Sequence, residues 1–273
     1  ENPHLGIWKL HETYNAALKH SNGDLVAILE GDDCWPPYRL ERQIPFFRAP
    51  GTVLCYGSSN ILNRQGKILH ESAGPSRHHR SIMMNRPPGK ALRMLLSANR
   101  IAACTTLISR NALDKAGGFC QPYGLPAVDY PTWLNLALLG EFGIVDSPMG
   151  YWRTYSQQVT RRLHIPLYKG ASHYAIDFFR KLPPHLKKRT GWTESGLIKV
   201  GERTFSSACY MQARYCLLCN DRASAALLFR EAVQRGSWKI RTLGLIGLIC
   251  CASPCNLEKV MRLTGRFSLE DAL

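Results

Sequence analysis

Three carboxylates lie within four residues of the chain, in the run Glu30-Gly31-Asp32-Asp33. Carboxylates this close repel one another, by about 4 kcal/mol for a pair roughly 4 Å apart at an effective dielectric constant of about 20. A chain therefore tends to keep them together where a cation binds. Carboxylate oxygens suit Mg²⁺ or Mn²⁺, which take few protein ligands and complete their coordination shell with phosphate oxygens. We expect Glu30 and Asp32 to hold a divalent metal that binds a diphosphate, with Asp33 assisting.

The acidic run also has a simpler interpretation. Pro36-Pro37 follows it and opens a predicted helix over residues 38–47, because proline in the first turn leaves no amide donor unsatisfied. Aspartate is favourable just before a helix N-terminus, where its oxygens accept from free backbone amides. On spacing alone, a solvated turn that caps this helix is the alternative to a metal site.

The elements around the acidic run predict an α/β sheet. Residues 10–19 have apolar positions at helical spacing. Residues 25–29 form a short apolar run that is typical of a buried parallel strand, and a second strand is predicted at 52–60. In such sheets ligands bind beyond the carboxyl ends of the strands, and the acidic run lies at one of those ends.

The middle of the chain alternates between loop and regular elements. Residues 72–90 are rich in Arg, His, Pro and Ser without a hydrophobic period, which predicts a mobile loop over one face. The elements predicted after it are a strand at 102–109, helices at 110–116 and 130–139, and short strands at 143–146 and 149–153.

The last third of the chain has only helical patterns, so we place a domain boundary near residue 165, between residues 1–165 and 166–273. Residues 210–219 and 223–234 have the pattern of a single tetratricopeptide-type helical hairpin. The longest apolar run, at 243–252, is about half the roughly twenty residues that a membrane span needs. It predicts a buried helix.

Three motifs carry a resemblance to family 2 glycosyltransferases with the GT-A fold. The segment from Asn15 to Trp35 resembles their donor site, in which an Asp-x-Asp-type motif follows a strand with this lead-in. Gly117-Gly118-Phe119, followed by Val128-Asp129 and a helix with Trp, is similar to their second motif. Residues 150–156 are similar to the basic segment that follows. The resemblance implies an α/β, GT-A-like (Rossmann-like) mixed sheet over 1–165, with 166–273 as an all-helical C-terminal extension.

The resemblance also implies an activity. Family 2 enzymes of this kind move a sugar from a nucleoside diphosphate sugar to an acceptor hydroxyl with inversion, using Mn²⁺ or Mg²⁺ at the acidic motif. Asp129 takes the place of the general base that removes the acceptor's proton, and Arg153 would stabilise the leaving diphosphate. Further candidates for donor or acceptor contacts are Asn15, Trp35, Thr105, Thr106 and Gly118.

Some positions depart from the family pattern. Glu30 replaces the usual Asp, Val128 stands where the family usually has Glu, and Tyr155 replaces a usual His. The family's opening strand and nucleotide-gripping loops are expected ahead of Glu1, so this sequence would be N-terminally incomplete relative to the family. These departures keep a second interpretation open, in which the chain is an inactive relative that binds a sugar nucleotide or carbohydrate.

The net charge of +15 should attract polyanions, which include nucleic acid, anionic membrane surfaces and phosphorylated small substrates. A helical-repeat adaptor or nucleic-acid binder is the alternative from another class. The sequence has no interleaved aromatic and basic residues, so we expect no nucleic acid. We expect a glycan, lipid-linked or protein hydroxyl acceptor, as in polysaccharide biosynthesis, and peripheral membrane contact by the basic helices. Ten cysteines at irregular spacing predict a reducing, cytoplasmic location, and the expected membrane contact would then be at the inner face.

Overall fold

A mixed β-sheet forms the centre of the first half of the chain. The structure, a computed structural model, describes residues 5–72, 74–155, 157–263 and 269, so Ser156 of the predicted third motif lies outside the described residues. Strand β2 pairs antiparallel with β3 and β4 and parallel with β5, and β1 pairs antiparallel with β4. The strands are β1 (Leu25–Ala27), β2 (Thr52–Leu62), β3 (Ile68–His70), β4 (Leu107–Ser109) and β5 (Glu141–Arg153).

Helices surround this sheet and then form the C-terminal region alone, which confirms the predicted fold class of an α/β mixed sheet with a helical extension. Helices of the first half are α1 (Leu10–His20), α2 (Arg39–Gln43), α3 (Arg77–Met83), α4 (Leu92–Leu95), α5 (Arg110–Lys115) and α6 (Asp129–Leu139). Those of the second half are α7 (Val159–Arg162), α8 (His164–Lys181), α9 (Pro184–Thr190), α10 (Glu194–Leu218), α11 (Arg222–Arg235), α12 (Trp238–Ala252) and α13 (Leu257–Leu263).

Strand β1 corrects the prediction of a buried parallel strand at 25–29. Its three residues are half-buried and pair antiparallel with β4, in the register Val26 to Ile108. β4 is itself only three residues long, so the apolar run finds no partner beyond Ala27 and leaves the sheet there. The run therefore ends early, and Leu29 stands half exposed just before the carboxylates.

Residues 72–90 are not the continuous loop that their composition predicts. Helix α3 forms within them and buries Ile82 and Met83 in the core. Ser76 caps its N-terminus, where the Ser76 hydroxyl accepts from the backbone amide of His79. Two buried residues in seven are too few to give a visible period. The shorter corrections are a 3₁₀ turn (Ala103–Thr105) ahead of β4, and one continuous strand β5 where two short strands are predicted.

The structure has two hydrophobic cores among its described residues. The first core joins the sheet to α6 and also takes Ala175, Phe178 and Phe179 from α8 and Leu197 from α10. The second lies among α10 to α13, around Phe229. Helix α8 thus contributes to the core of the sheet, although it follows residue 165. The domain division at residue 165 stays a prediction. The predicted hairpin is present as α10 and α11, and its likeness to a tetratricopeptide unit stays a prediction.

Helix α12 corrects the prediction that residues 243–252 are buried. It packs through Gly244, Gly247 and Cys250, while Leu245 and Ile249 are exposed. Uniform apolar composition hides which side is covered, because every side of the helix reads the same. None of the helices in the described part of the chain has the length and apolar character needed to cross a membrane.

Gly150→Ala tests how closely β5 fits the turn at 103–105. A Cβ at residue 150 would lie 2.6 Å from the Cys104 carbonyl oxygen and 2.9 Å from its Sγ. We expect a loss of about 1–3 kcal/mol in the free energy of unfolding, because the strand must move away from the turn. Urea denaturation measures this. Gly31→Ala is the control, since a Cβ there meets nothing within 4 Å, and equal losses in both variants would contradict the fit.

Candidate active site

Residues 30–33, the acidic loop, leave strand β1 in a tight turn. The backbone amide of Asp33 donates to the Glu30 carbonyl over 3.1 Å, which closes the turn. Cys34 then exchanges two backbone hydrogen bonds with Tyr151 of β5, of 3.1 and 2.8 Å. The loop is therefore fixed at both ends, by β1 on one side and by β5 on the other.

Arg153, at the end of β5, hydrogen-bonds to the acidic loop. Its backbone amide donates to Asp33 Oδ1 over 2.9 Å, and its Nε donates to the Asp32 carbonyl over 2.7 Å. Nη1 donates to the carbonyls of Asn63 and Arg64 in the turn after β2, and Nη2 contacts the Cys34 sulfur at 3.3 Å. The contacts of Arg153 thus tie the loop to the sheet, and its predicted contact with a leaving diphosphate stays a prediction.

Glu30 has one satisfied and one unsatisfied carboxylate oxygen. Tyr14 of α1 donates its hydroxyl to Oε1 over 2.8 Å, whereas Oε2 is buried and has no hydrogen-bond partner among the described residues. Burial raises the pKa of Glu30 to about 7, with the charges of Asp33 and Asp129 adding to it and the Tyr14 hydrogen bond opposing it. A buried carboxylate with an unpartnered oxygen is a site that a cation would stabilise.

Asp33 and Asp32 complete the acidic side of the site. Burial raises the pKa of Asp33 to about 6, the backbone amide of Arg153 lowers it, and the charge of Asp32 raises it. Asp32 Oδ2 accepts the Tyr155 hydroxyl over 3.0 Å. Tyr155 stands where the family usually has His, and its hydroxyl contacts the acidic loop at Asp32.

Asp129 opens helix α6 and lines a cavity together with the acidic loop. Asn99 donates its side-chain amide to Asp129 Oδ2 over 2.6 Å. Burial raises the pKa of Asp129, while hydrogen bonds from the backbone amide of Tyr130 and from Asn99 oppose that rise. The structure thus brings together the four predicted carboxylates at a cavity of about 960 Å³, whose lining includes Glu30, Asp32, Asp33, Asn99, Asp129 and Tyr155.

Asn15 and Gly118, predicted as ligand contacts, hold two elements together. The Asn15 side chain donates to the Phe119 carbonyl over 3.0 Å and accepts from its amide over 2.8 Å. Gly118 has φ of +84°, and a Cβ there would lie 2.4 Å from Asn15 Oδ1. The glycine at position 118 therefore allows the turn to pack closely against α1.

Trp35, Thr105 and Thr106 lie behind the cavity wall. The guanidinium of Arg39 stacks over the Trp35 ring at 4.0 Å and donates to the Thr106 carbonyl. Both threonines are buried and donate their hydroxyls to carbonyls of the 3₁₀ turn. The lining of the cavity includes none of these three, nor Asn15 or Gly118, as far as the described residues show. Their roles as donor or acceptor contacts stay predictions.

Comparison with known proteins relates part of the chain to a family. Residues 8–115 match the family model described as Glycosyl transferase family 2. We call residues 8–115 the family 2 segment. The family 2 segment contains α1, the acidic loop, Asn99 and the strands β1 to β4, and it ends before Asp129 and Arg153.

A curated relative matches part of the chain. Over 125 residues the chain is 28% identical to the UDP-Glc:alpha-D-GlcNAc-diphosphoundecaprenol beta-1,3-glucosyltransferase WfgD of Escherichia coli. The match covers 45% of this chain and 42% of that protein, so the chain spans less than half the length of this relative.

Solved structures are similar over most of the chain. One is the mannosyltransferase PcManGT from Pyrobaculum calidifontis in complex with GDP-Man and Mn²⁺, with 17% identity, a TM-score of 0.48, and coverage of 94% of this chain and 67% of that one. Another is S. aureus TarS 1–349, with 12% identity, a TM-score of 0.44, and coverage of 97% and 74%. TarS 1–349 in complex with UDP-GlcNAc gives 11%, 0.42, 93% and 71%.

Three residues of the site escape sequence reasoning, two of them in the family 2 segment. Tyr14 counts as an apolar position of a helix, although it is also the donor to Glu30. Asn99 lies between elements and belongs to no motif, so only the fold brings it to Asp129. Tyr155 marks a departure from the family pattern, and that departure is the one signal that points to its contact with Asp32.

Proposed function

We propose that the chain acts as a glycosyltransferase that moves a sugar from a nucleoside diphosphate sugar to an acceptor hydroxyl with inversion. The observation that carries this proposal is that Glu30, Asp32 and Asp33 face one cavity together with Asp129. The family 2 segment supports it. The names of the relatives fit as well, since WfgD uses UDP-Glc and PcManGT was solved with GDP-Man.

A divalent cation, Mn²⁺ or Mg²⁺, fits the acidic loop. Glu30 Oε2 is buried without a partner, and burial and neighbouring charges disfavour ionisation of Glu30 and Asp33. The described part of the chain has no group of three or more His, Cys, Asp or Glu placed to hold a metal ion. The proposed ion would therefore take one or two carboxylates and fill its shell with phosphate oxygens. When bound, the ion would neutralise charge on the leaving diphosphate.

Asp32 and Glu30 are the proposed ligands of that ion, with Asp33 assisting. The Glu30 carboxylate accepts the Tyr14 hydroxyl, and the neighbouring charges that raise its pKa are those of Asp33 and Asp129. Asp32 points to Tyr155. We therefore expect Asp32 to carry more of the metal affinity than Glu30.

Asp129 is the proposed general base. It takes the proton from the acceptor hydroxyl, whose oxygen then bonds to the anomeric carbon as the bond to the diphosphate oxygen breaks on the opposite face. Asn99 fixes the orientation of the carboxylate and, by donating to it, favours its ionised form. Arg153 would stabilise the leaving diphosphate with its Nη2. Among the hydrogen bonds described above, this nitrogen contacts only the Cys34 sulfur.

The acceptor is proposed to enter on the side of the C-terminal helices. Beyond Asp129 the cavity continues between α8 and α10, where Leu167, Ala171, Leu197 and Val200 line it. Apolar walls next to a base suit an acceptor sugar that carries an apolar group. WfgD acts on a sugar linked to diphosphoundecaprenol. We propose a lipid-linked acceptor, used in polysaccharide biosynthesis at the cytoplasmic face of a membrane.

An inactive relative that binds a sugar nucleotide is the second candidate. Val128 is buried beside Asp129 and brings no second carboxylate to the base. The pKa of Glu30, about 7, would also leave this side chain partly protonated at neutral pH without a cation. Such a protein would bind a donor and fail to transfer the sugar.

Calorimetry with Mn²⁺ and a panel of UDP-, GDP- and dTDP-sugars tests the donor site. We expect one sugar nucleotide to bind only with the metal, and Asp32→Asn to weaken that binding at least about tenfold, since it removes a charged ligand. Glu30→Gln should weaken it less. Asp114→Asn, at an exposed carboxylate of α5, is the matched charge control. If the folded chain binds no sugar nucleotide of the panel, the proposal is contradicted.

The base is tested by turnover with the sugar nucleotide so identified. Asp129→Asn should lower kcat by about a hundredfold or more and leave donor affinity unchanged. Asn99→Ala should move the acidic limb of the pH–rate profile to higher pH, because loss of the donated hydrogen bond raises the pKa of Asp129. Ser97→Ala, two residues away, is the control. Normal turnover by Asp129→Asn would show that the assignment of the base is wrong, and donor binding without turnover in the parent chain would favour the inactive relative.

A further inference from the structure

Helix α12 has two unlike sides. Its fifteen residues, Trp238–Ala252, include no Asp or Glu. One side lies against α11, so closely that a Cβ at Gly247 would come within 2.5 Å of the Phe229 ring and one at Gly244 within 2.8 Å of Val233. Small residues therefore allow close packing on that side, and the larger apolar side chains are left on the other.

The other side of α12 presents a row of large apolar side chains to solvent. Trp238 is 74% exposed, Leu245 52% and Ile249 65%. Their spacing of seven and four residues places them on one face of the helix, over a length of about 16 Å. Large exposed apolar side chains that share one face of a helix mark an interaction site more often than scattered single residues do. We refer to these three side chains as the α12 face.

Positive charge surrounds the α12 face. Residues 222–263 contain seven Lys and Arg against two Asp and Glu. Both acids are ion-paired, Glu231 with Arg235 and Glu258 with Arg214. Lys239 lies beside the face, with its Nζ 5.6 Å from the centre of the Trp238 ring. The face is thus an apolar row with basic residues at its edge and no acid on its own helix.

We infer that the α12 face docks side-on to an anionic membrane surface. Leu245 and Ile249 enter the boundary between headgroups and acyl chains, Trp238 lies at headgroup level, and Lys239 and Arg241 contact lipid phosphates. Exposed apolar side chains together with basic neighbours are what an interfacial helix uses, and Trp is favoured at that depth. The helix is too short to span, so it lies in the plane of the surface. This inference does not depend on the proposed transferase activity.

Charge favours a membrane over a second copy of the chain. In a two-fold contact the same face would meet itself, so the basic residues of 222–263 would approach those of the other copy. The two acids of the segment already have partners and cannot offset that repulsion. An anionic lipid surface supplies the missing negative charge.

Co-sedimentation of the full chain with vesicles tests the inference. We expect binding to vesicles of phosphatidylcholine with about 30% phosphatidylglycerol, and at least about tenfold weaker binding to phosphatidylcholine alone or in about 0.5 M NaCl. Leu245→Ser with Ile249→Ser should lower the partition coefficient at least about fivefold. The matched control is Leu138→Ser with Leu139→Ser, two exposed leucines at the end of α6, which should bind as the parent does.

A second variant protects the test against a folding defect. Lys239→Glu leaves the apolar row intact and should weaken binding at low salt only. Light scattering of each variant reports self-association. Failure of the parent chain to bind anionic vesicles, equal binding by the α12 variant and its control, or self-association that the α12 substitutions abolish would each overturn the inference. The assay uses no sugar nucleotide, so its failure is distinct from failure of the transferase proposal.

Discussion

Burial of the carboxylates of the acidic loop, together with the repulsion between them, is the constraint on which the rest of the site depends. Glu30 and Asp33 are both hard to ionise, because burial and neighbouring negative charge raise their pKa values. Arg153 answers from the end of β5 by holding the loop through the Asp32 carbonyl and the Asp33 carboxylate. The loop is thereby held in a state that a divalent cation would relieve, and the fixed position of β5 on β2 keeps it there.

The same constraint explains how motifs distant in the sequence are connected in the structure. Asn15 binds the turn at Phe119, which fixes α1, and α1 in turn carries the Tyr14 hydroxyl to Glu30. The turn also precedes the helix that begins at Asp129. The Gly-Gly-Phe motif therefore helps to position α1, and with it Tyr14, relative to the turn that precedes Asp129. Substrate contact is not needed to explain its place in the sequence.

The sequence allowed the fold class and the main carboxylates to be predicted, because their signals are local. Helical spacing, a proline-started helix and a run of acids after an apolar strand can be read from neighbouring residues. The pairing of β1 could not, since three apolar residues read alike in parallel and antiparallel strands. Asn99 was missed because its role comes only from the approach of α6. The exposed face of α12 was missed because the helix is apolar on every side.

The central claim, that the acidic loop binds a metal–diphosphate opposite Asp129, is tested most directly by anomalous diffraction from crystals soaked with Mn²⁺ and a nucleoside diphosphate. The account predicts an anomalous peak within about 2.2 Å of an Asp32 carboxylate oxygen, consistent with oxygen coordination of a small divalent ion. The diphosphate should lie between that peak and the interior of the cavity, which Asp129 also lines. A peak elsewhere, or a diphosphate bound in the cavity with no metal at the acidic loop, would contradict it.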